Sequence, residues 1–405
     1  MASSLAPQID TAPQSQIGAE ADHRPFTPHI CELTLTDFRS YSHVRLSCAK
    51  GGVVLTGDNG IGKTNILEAV SQFGPSRGLR SASLSELARF DGTGGWAISA
   101  QLMTQDGDMR IGVGMDAGKS SRRLRLDGEP AKGFESLLRY CPQLWLTPSM
   151  DRLFVDGASG RRKFLDRFTT GLMPYHNKAL QAFEKAMRER NRLLQDPSPS
   201  AVWLDGIETN MAEQAVAIAA ARLEALDVLS HSLVEGQHAV FPQAQIALDG
   251  RLEADLRQRP AGEVEDDYRQ LLARQRGLDA AAGRTLEGPH RTDLITRHIG
   301  KDMSADKCST GEQKVLLVGL ILAQARVIAA QTGAVPVLLL DEVSAHLDAR
   351  RRQALFEVIA ELGAQAWLTG TDADIFQPFT QICGATHLQI QEGQPHVLQA
   401  GEDIS

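Results

Sequence analysis

The stretch Gly57-Asp58-Asn59-Gly60-Ile61-Gly62-Lys63-Thr64 leaves the surrounding chain little freedom in how it folds. It fits G-x-x-x-x-G-K-[ST], a loop whose backbone N–H groups turn inward around anionic oxygens. Such a loop needs a buried strand before it and a helix after it. Val53-Val54-Leu55-Thr56 reads as that strand, and Asn65 to Val70 as the first turns of that helix. The helix presents its positive end to the anion. Gly57, Asp58, Asn59, Gly60, Ile61, Gly62 and Asn65 then form the nucleotide cradle. Lys63 reaches the β- and γ-phosphates, and the Thr64 hydroxyl ligates Mg²⁺.

A phosphate loop works with a carboxylate at the end of a buried apolar strand. Leu338-Leu339-Leu340-Asp341-Glu342 supplies one: Asp341 on the Mg²⁺ side, and Glu342 placed to polarise an attacking water. Lys63, Asp341 and Glu342 are therefore the candidate catalytic residues, and Thr64 and Asp341 the candidate metal ligands. About 280 residues separate the loop from this pair, whereas a βαβ unit takes ~30. The two must still meet, so a whole domain is inserted between two halves of one head.

Ser309-Thr310-Gly311-Glu312-Gln313 opens a strongly apolar helix about 28 residues before Asp341. Ser309 and Glu312 have the spacing of a capping box. A Ser/Gly-rich helix start is also a second anion-binding end. One chain cannot easily bring both ends to one ATP. A dimer solves this, with Ser309, Gly311 and Gln313 facing the nucleotide held by the partner's loop. Ser344-Ala345-His346-Leu347-Asp348 would lie at the same interface.

The rest of the chain fits a head and an insert. Residues Met1 to about Thr27 are rich in Ala, Ser, Gln and Pro, and read as a disordered tail without the pattern of a secretory signal. Cys31, Leu33 and Leu35 alternate with polar neighbours as a strand does. From Trp96 to Leu126 antiparallel strands are joined by Asp-Gly turns. From about 149 to 287 the chain reads mainly helical, with seams at Leu172, Tyr175, Ala179, Phe183, Met187 and at Met211, Ala215, Ile218, Ala221, Ala225, Leu229. The expected divisions are a tail (1–28), the first half of the head (29–148), a helical arm (149–287) and the second half of the head (288–405). The five cysteines have no metal-ligand spacing, and no run of eighteen apolar residues exists. A cytoplasmic chain with no membrane span is the expectation. The net charge of −8 gives no wholesale basic surface but leaves room for a local one.

The order of loop, Ser-x-Gly-x-Gln, Asp-Glu and Ser-Ala-x-Leu-Asp resembles an ABC-type ATPase head: α/β, with an antiparallel subdomain and an inserted helical arm. More specific strings resemble the RecF family of bacterial recombinational-repair proteins. They are Leu35-Thr36-Asp37-Phe38-Arg39-Ser40-Tyr41, Ser76-Arg77-Gly78-Leu79-Arg80-Ser81, Arg161-Arg162-Lys163-Phe164-Leu165-Asp166, Gly288-Pro289-His290-Arg291-Thr292-Asp293-Leu294 and Leu368-Thr369-Gly370-Thr371. This resemblance implies a protein that binds ATP and Mg²⁺ and forms a homodimer on ATP. It implies association with double-stranded DNA at single-strand gaps, and help in RecA loading with the partners RecO and RecR. It implies weak, DNA-stimulated ATP hydrolysis, a part in the response to DNA damage, and a place for Arg39 near the nucleotide.

Departures from the family pattern are Asp58, where a small residue is common, and Pro148-Ser149-Met150-Asp151, which leaves Gln143 as the candidate glutamine-loop residue. Thr369 stands where transporter ATPases carry a histidine. Basic clusters that could meet DNA phosphates are Arg77 and Arg80; Arg122, Arg123 and Arg125; Arg161, Arg162 and Lys163; and Lys185, Arg188, Arg190 and Arg192. The rivals are an SMC- or Rad50-like head, which needs long heptad arms the insert lacks, and a transporter ATPase subunit, which needs a membrane partner. A GTPase lacks support, because no Asn-Lys-x-Asp guanine reader is present.

Overall fold

The computed structural model describes residues 25–235, 240–345 and 347–399. The tail expected over 1–28 falls outside them up to residue 24, as does His346. Phe26, inside the range expected for the tail, already bridges to Ala334.

A six-stranded sheet lies at the centre. Its order is Gln394–Gln399, Thr386–Gln391, Gly52–Thr56, Ala366–Gly370, Val337–Leu340, Gln143–Leu146, parallel except for the first pair. The strands Gly52–Thr56, Ala366–Gly370, Val337–Leu340 and Gln143–Leu146 are buried on both faces, as parallel strands covered by layers on each side must be. The pleat divides their side chains strictly. Val54, Leu144, Leu146, Leu338, Leu340 and Leu368 enter one core, whereas Val53, Leu55, Trp145, Val337, Leu339 and Trp367 enter the other.

The first core is closed by the helix Thr310–Thr332, with Ala158–Leu172 and Ala349–Leu362. Thr310–Thr332 is long and apolar enough to span a bilayer by length and composition, but most of it is buried in this core. The second core holds the helix Lys63–Val70 under an antiparallel sheet. That sheet runs Tyr41–Ser47, His29–Phe38, Trp96–Thr104, Gly107–Met115, Arg123–Leu126, Glu129–Ala131. The strand expected from Cys31, Leu33 and Leu35 is present, with one difference. A bulge between Ile30 and Glu32 shifts the register, so Ile30 turns fully inward and Cys31 is only half-buried.

The insert packs a third core between Tyr175–Leu193, Ala201–Glu235 and Ala261–Ala282. Ala201–Glu235 is one helix of 35 residues. Its Met211, Ala215 and Ile218 lie in the arm core, and its Ala225 and Leu229 in the head core. In Tyr175–Leu193 the inward stripe is His176, Ala179, Phe183, Ala186 and Arg190, while Tyr175 is exposed. The purely apolar seam expected from Tyr175 to Met187 is thus rotated by one residue at its start. The polar side chains it overlooked find buried partners: His176 meets Asp166, and Arg190 meets Glu208 and Asp279.

Two of the strings that resemble the RecF family, 161–166 and 288–294, meet where arm and head join. Arg161 donates through Nε and Nη2 to the Asp293 carboxylate at 2.7 and 2.8 Å, and Arg162 donates to the Thr292 carbonyl at 2.8 Å. Arg222, from the long helix, donates to both Asp166 oxygens and to the Pro289 carbonyl. None of the five cysteines forms a disulfide.

Candidate nucleotide cleft

The parallel strands Gly52–Thr56 and Val337–Leu340 both end at one edge of the sheet, separated by the strand Ala366–Gly370. A cleft of about 410 Å³ opens there. Asn59, Gly60, Gly62, Lys63, Thr64 and Asn65 line one side, and Asp341 and Glu342 another. Residues nearly 280 positions apart thus face one space.

The loop holds its shape for local reasons. Gly62 has φ +113°, and a Cβ there would lie 2.8 Å from the Tyr41 hydroxyl. Only glycine fits such backbone so close to a neighbour. Gly57, at φ +141°, abuts the Ile390 carbonyl in the same way. The Lys63 ammonium donates to the Gly57 and Asp58 carbonyls at 2.6 and 2.8 Å. Burial pushes it below its ordinary pKa, and the charges of Glu342, Asp341 and Asp58 oppose that shift. Gly57, Asp58 and Ile61 frame the loop from behind, outside the cleft lining.

Thr64 Oγ1 donates to Asp341 Oδ1 at 3.0 Å, and Thr369 Oγ1 donates to the same oxygen at 2.7 Å. Thr369 Oγ1 also accepts from the Glu342 N–H at 2.8 Å. Glu342 has φ +50°, a conformation rare outside glycine that concentrates at functional sites. A hydroxyl beside a carboxylate is a hard-oxygen pair. This suits Mg²⁺, which is commonly held by one or two protein oxygens together with substrate phosphates. Among the described residues no cluster of three His, Cys, Asp or Glu could hold a metal without such phosphates.

Other expected residues stand elsewhere. Arg39 donates through Nε and Nη2 to the fully buried Glu68 carboxylate at 2.9 and 2.8 Å, and through Nη1 to the Glu86 carbonyl. Its guanidinium therefore braces the loop helix and is not among the cleft-lining residues. Gln143 begins its strand at the end away from the cleft. Its amide donates to Val70 O, and the lining residues on that chain segment are Thr147, Pro148 and Ser149. Gln143 is thus corrected as the glutamine-loop candidate, since three residues of strand, ~10 Å, hold it back. Leu79 and Arg80 also line the cleft, and Arg80 donates to Asn65 Oδ1.

Ser309 and Gly311 are outside this cleft. The capping box at Ser309 is complete, and Lys301 pairs with Glu312. Lys301 and the Ser309 N–H together hold the Glu312 carboxyl down at about 2. Gln313 is buried, with its amide donating to the Asp306 and Cys308 carbonyls. A Cβ at Gly311 would meet open space, so that end of the helix is bare.

The basic clusters divide. Arg190 is fully buried against Glu208 and Asp279, Arg122 caps the Gln72 and Gly74 carbonyls under Phe134, and Arg161 and Arg162 serve the arm–head joint. Arg77, Arg80, Arg123, Arg125, Lys163, Lys185, Arg188 and Arg192 are exposed.

The RecF/RecN/SMC N terminal domain family matches residues 29–392. The chain is 49% identical over 355 residues to the DNA replication and repair protein RecF of Mesorhizobium japonicum, covering 87% of this chain and 94% of that one. It is 51% identical over 352 residues to the protein of the same name from Agrobacterium fabrum, covering 86% and 93%. Among solved structures, the recombination mediator protein RecF with ATP superposes with a TM-score of 0.80 at 22% identity, over 94% of this chain and all of that one. The Pyrococcus furiosus Smc head domain superposes with a TM-score of 0.53 at 16% identity, over 93% and 97%.

Proposed function

Since this chain belongs to the RecF family within the RecF/RecN/SMC group, we propose that it is an ATP-dependent, dimerising DNA-binding protein of recombinational repair. The observation that carries this reading is the single cleft. Lys63, Thr64, Asp341 and Glu342 converge on it, while the bare helix start at Ser309 and Gly311 opens elsewhere. The site is half of a joint, and a second copy of the chain completes it.

In this proposal the loop amides and Lys63 bind the triphosphate, and Thr64 with Asp341 would hold Mg²⁺, which supplies positive charge against the phosphates. Glu342 accepts a proton from the attacking water through its carboxylate. Ser309 and Gly311 of one copy complete the nucleotide site of the other, whereas Gln313, expected beside them, is turned into its own chain. Closing grips duplex DNA at a single-strand gap, and slow hydrolysis releases it. RecO and RecR are the proposed partners, in the cytoplasm, in support of RecA loading. The division into a head (29–148, 288–405) and an arm (149–287) is part of the same proposal.

DNA binding measured on gapped and blunt duplex, with and without ATP, tests it. ATP-dependent binding that favours the gap supports the reading; no ATP dependence on either substrate overturns it. Lys63→Ala removes the charge-assisted contacts to phosphate and should weaken ATP binding by roughly 10- to 100-fold. An unchanged affinity would show that the phosphate loop is misread. Ser309→Arg should leave ATP binding intact and abolish the ATP-induced dimer in sizing chromatography. A normal dimer from that variant would make the helix start a cap alone.

A further inference from the structure

Lys314 is buried one turn into the helix that begins at Ser309. A cation there is doubly unfavourable: it leaves water, and it sits at the positive end of the helix. Two groups compensate it. Its ammonium donates to Asp151 Oδ2 and to the Glu342 carbonyl, each at 3.3 Å. Asp151 lies in the short turn Pro148–Arg152, directly after the cleft-lining Thr147, Pro148 and Ser149. Its other oxygen, Oδ1, is buried with no partner.

Three segments of the head therefore meet on one ammonium: the Ser309 helix, the turn behind the cleft, and the backbone of Glu342. The last contact bears on geometry. The Glu342 N–H is held by Thr369, and its carbonyl by Lys314 and by the Ala345 N–H. Both peptides flanking the Glu342 Cα are thus pinned, and between them the residue sits at φ +50°. That torsion sets where the carboxylate points. Any displacement of the Ser309 helix start pulls on the same carbonyl through Lys314.

We propose that Lys314, seated on Asp151, is a positioning residue that ties the orientation of Glu342 to the docking of the Ser309 helix on a second copy's nucleotide. This rests on the proposed function, in which Glu342 serves hydrolysis and Ser309 faces the partner. Each copy then hydrolyses its own ATP only when its own helix start is engaged across the interface.

The experiment is steady-state ATP hydrolysis with DNA, using full-length Lys314→Met. The variant keeps the length of the stem and loses the ammonium. Turnover at saturating ATP should fall about 10- to 100-fold, with KM and ATP affinity within twofold of the parent and an ATP-bound dimer that outlives it. Lys314→Arg should recover part of the turnover. Lys314→Met paired with Asp151→Asn removes the stranded carboxylate, so it should fold as stably as the parent and remain slow. Parental turnover in either Met variant overturns the proposal. So does a parallel loss of ATP affinity and melting temperature in the double variant, which would mark a structural role. Glu342→Gln separates the two levels. If it hydrolyses ATP normally, the functional reading itself is wrong. If it is inactive while Lys314→Met turns over normally, only the coupling is wrong.

Discussion

Asp341 illustrates how much a single oxygen can be asked to do. Its Oδ1 accepts from both Thr64 and Thr369, and Thr369 in turn holds the Glu342 N–H. Thr369→Val would leave that part-buried N–H unsatisfied and the carboxylate short of a donor. The expected loss is about 1–3 kcal/mol of stability, read by denaturant unfolding, with slower hydrolysis. A second residue bears on pH. Burial lowers the pKa of His387, whose Nε2 meets Thr56 Oγ1 at 3.0 Å, just before the loop. The unfolded chain therefore takes up a proton near the ordinary value of 6.5 while the folded chain does not. The stability this provides is full above pH 6.5 and is lost as pH falls towards the lowered folded value. His387→Gln should flatten the slope of stability between about pH 6.5 and 5; an unchanged slope would assign it to other groups, such as His290, which burial also lowers. At this scale, the convergence of Lys63, Thr64 and the Asp341–Glu342 pair on one cleft was legible, because a G-x-x-x-x-G-K-[ST] loop and a carboxylate ending a buried strand are expected to share one site. Thr369 and Lys314 were not assigned these contacts. A threonine or lysine carries no sign of which distant carboxylate it will meet.

At the scale of elements, long apolar runs read well and mixed faces read poorly. The strand Val337–Leu340 and the helix Thr310–Thr332 are almost wholly buried, so composition alone marks them. The helix Tyr175–Leu193 is different, because its inner stripe includes an arginine. The sequence grouped Arg190 with Lys185, Arg188 and Arg192 as a basic cluster that could meet DNA phosphates, whereas Glu208 and Asp279 draw it into the arm core. The bulge at Ile30–Glu32 is invisible for a similar reason: strict alternation assumes an unbroken register. Arg190→Ala would strand the buried Asp279 carboxylate, while Glu208 keeps Arg276, and should cost about 3–5 kcal/mol in unfolding experiments. Its exposed neighbour, Arg188, makes a matched control: Arg188→Ala should leave stability within about 0.5 kcal/mol of the parent. Equal effects from the two would contradict the burial of Arg190.

Over the whole molecule, the chain leaves the head at one edge of the sheet and returns to it. The joint is built from the strings 161–166 and 288–294, which are adjacent in space and far apart in sequence. Asp293→Ala, which leaves Arg161 Nε and Nη2 without their carboxylate, should lower stability by about 1–3 kcal/mol and make the arm the first region to exchange its amide hydrogens. The insertion itself was legible from the gap between loop and carboxylate; the joint was not, since neither string announces the other. The helix Ala201–Glu235 crosses this joint, rooted at one end among Ala225 and Leu229 and at the other among Met211 and Ala215. At 1.5 Å per residue its 35 residues measure about 52 Å. It is therefore a lever whose fulcrum lies in the head core. From Leu229 to the far end at Ala201 is about 42 Å, so a tilt of about 10° at the root would sweep the far tip through roughly 7 Å. Ångström-sized adjustments at that root would be enlarged at the tip of the arm into a displacement of several ångströms.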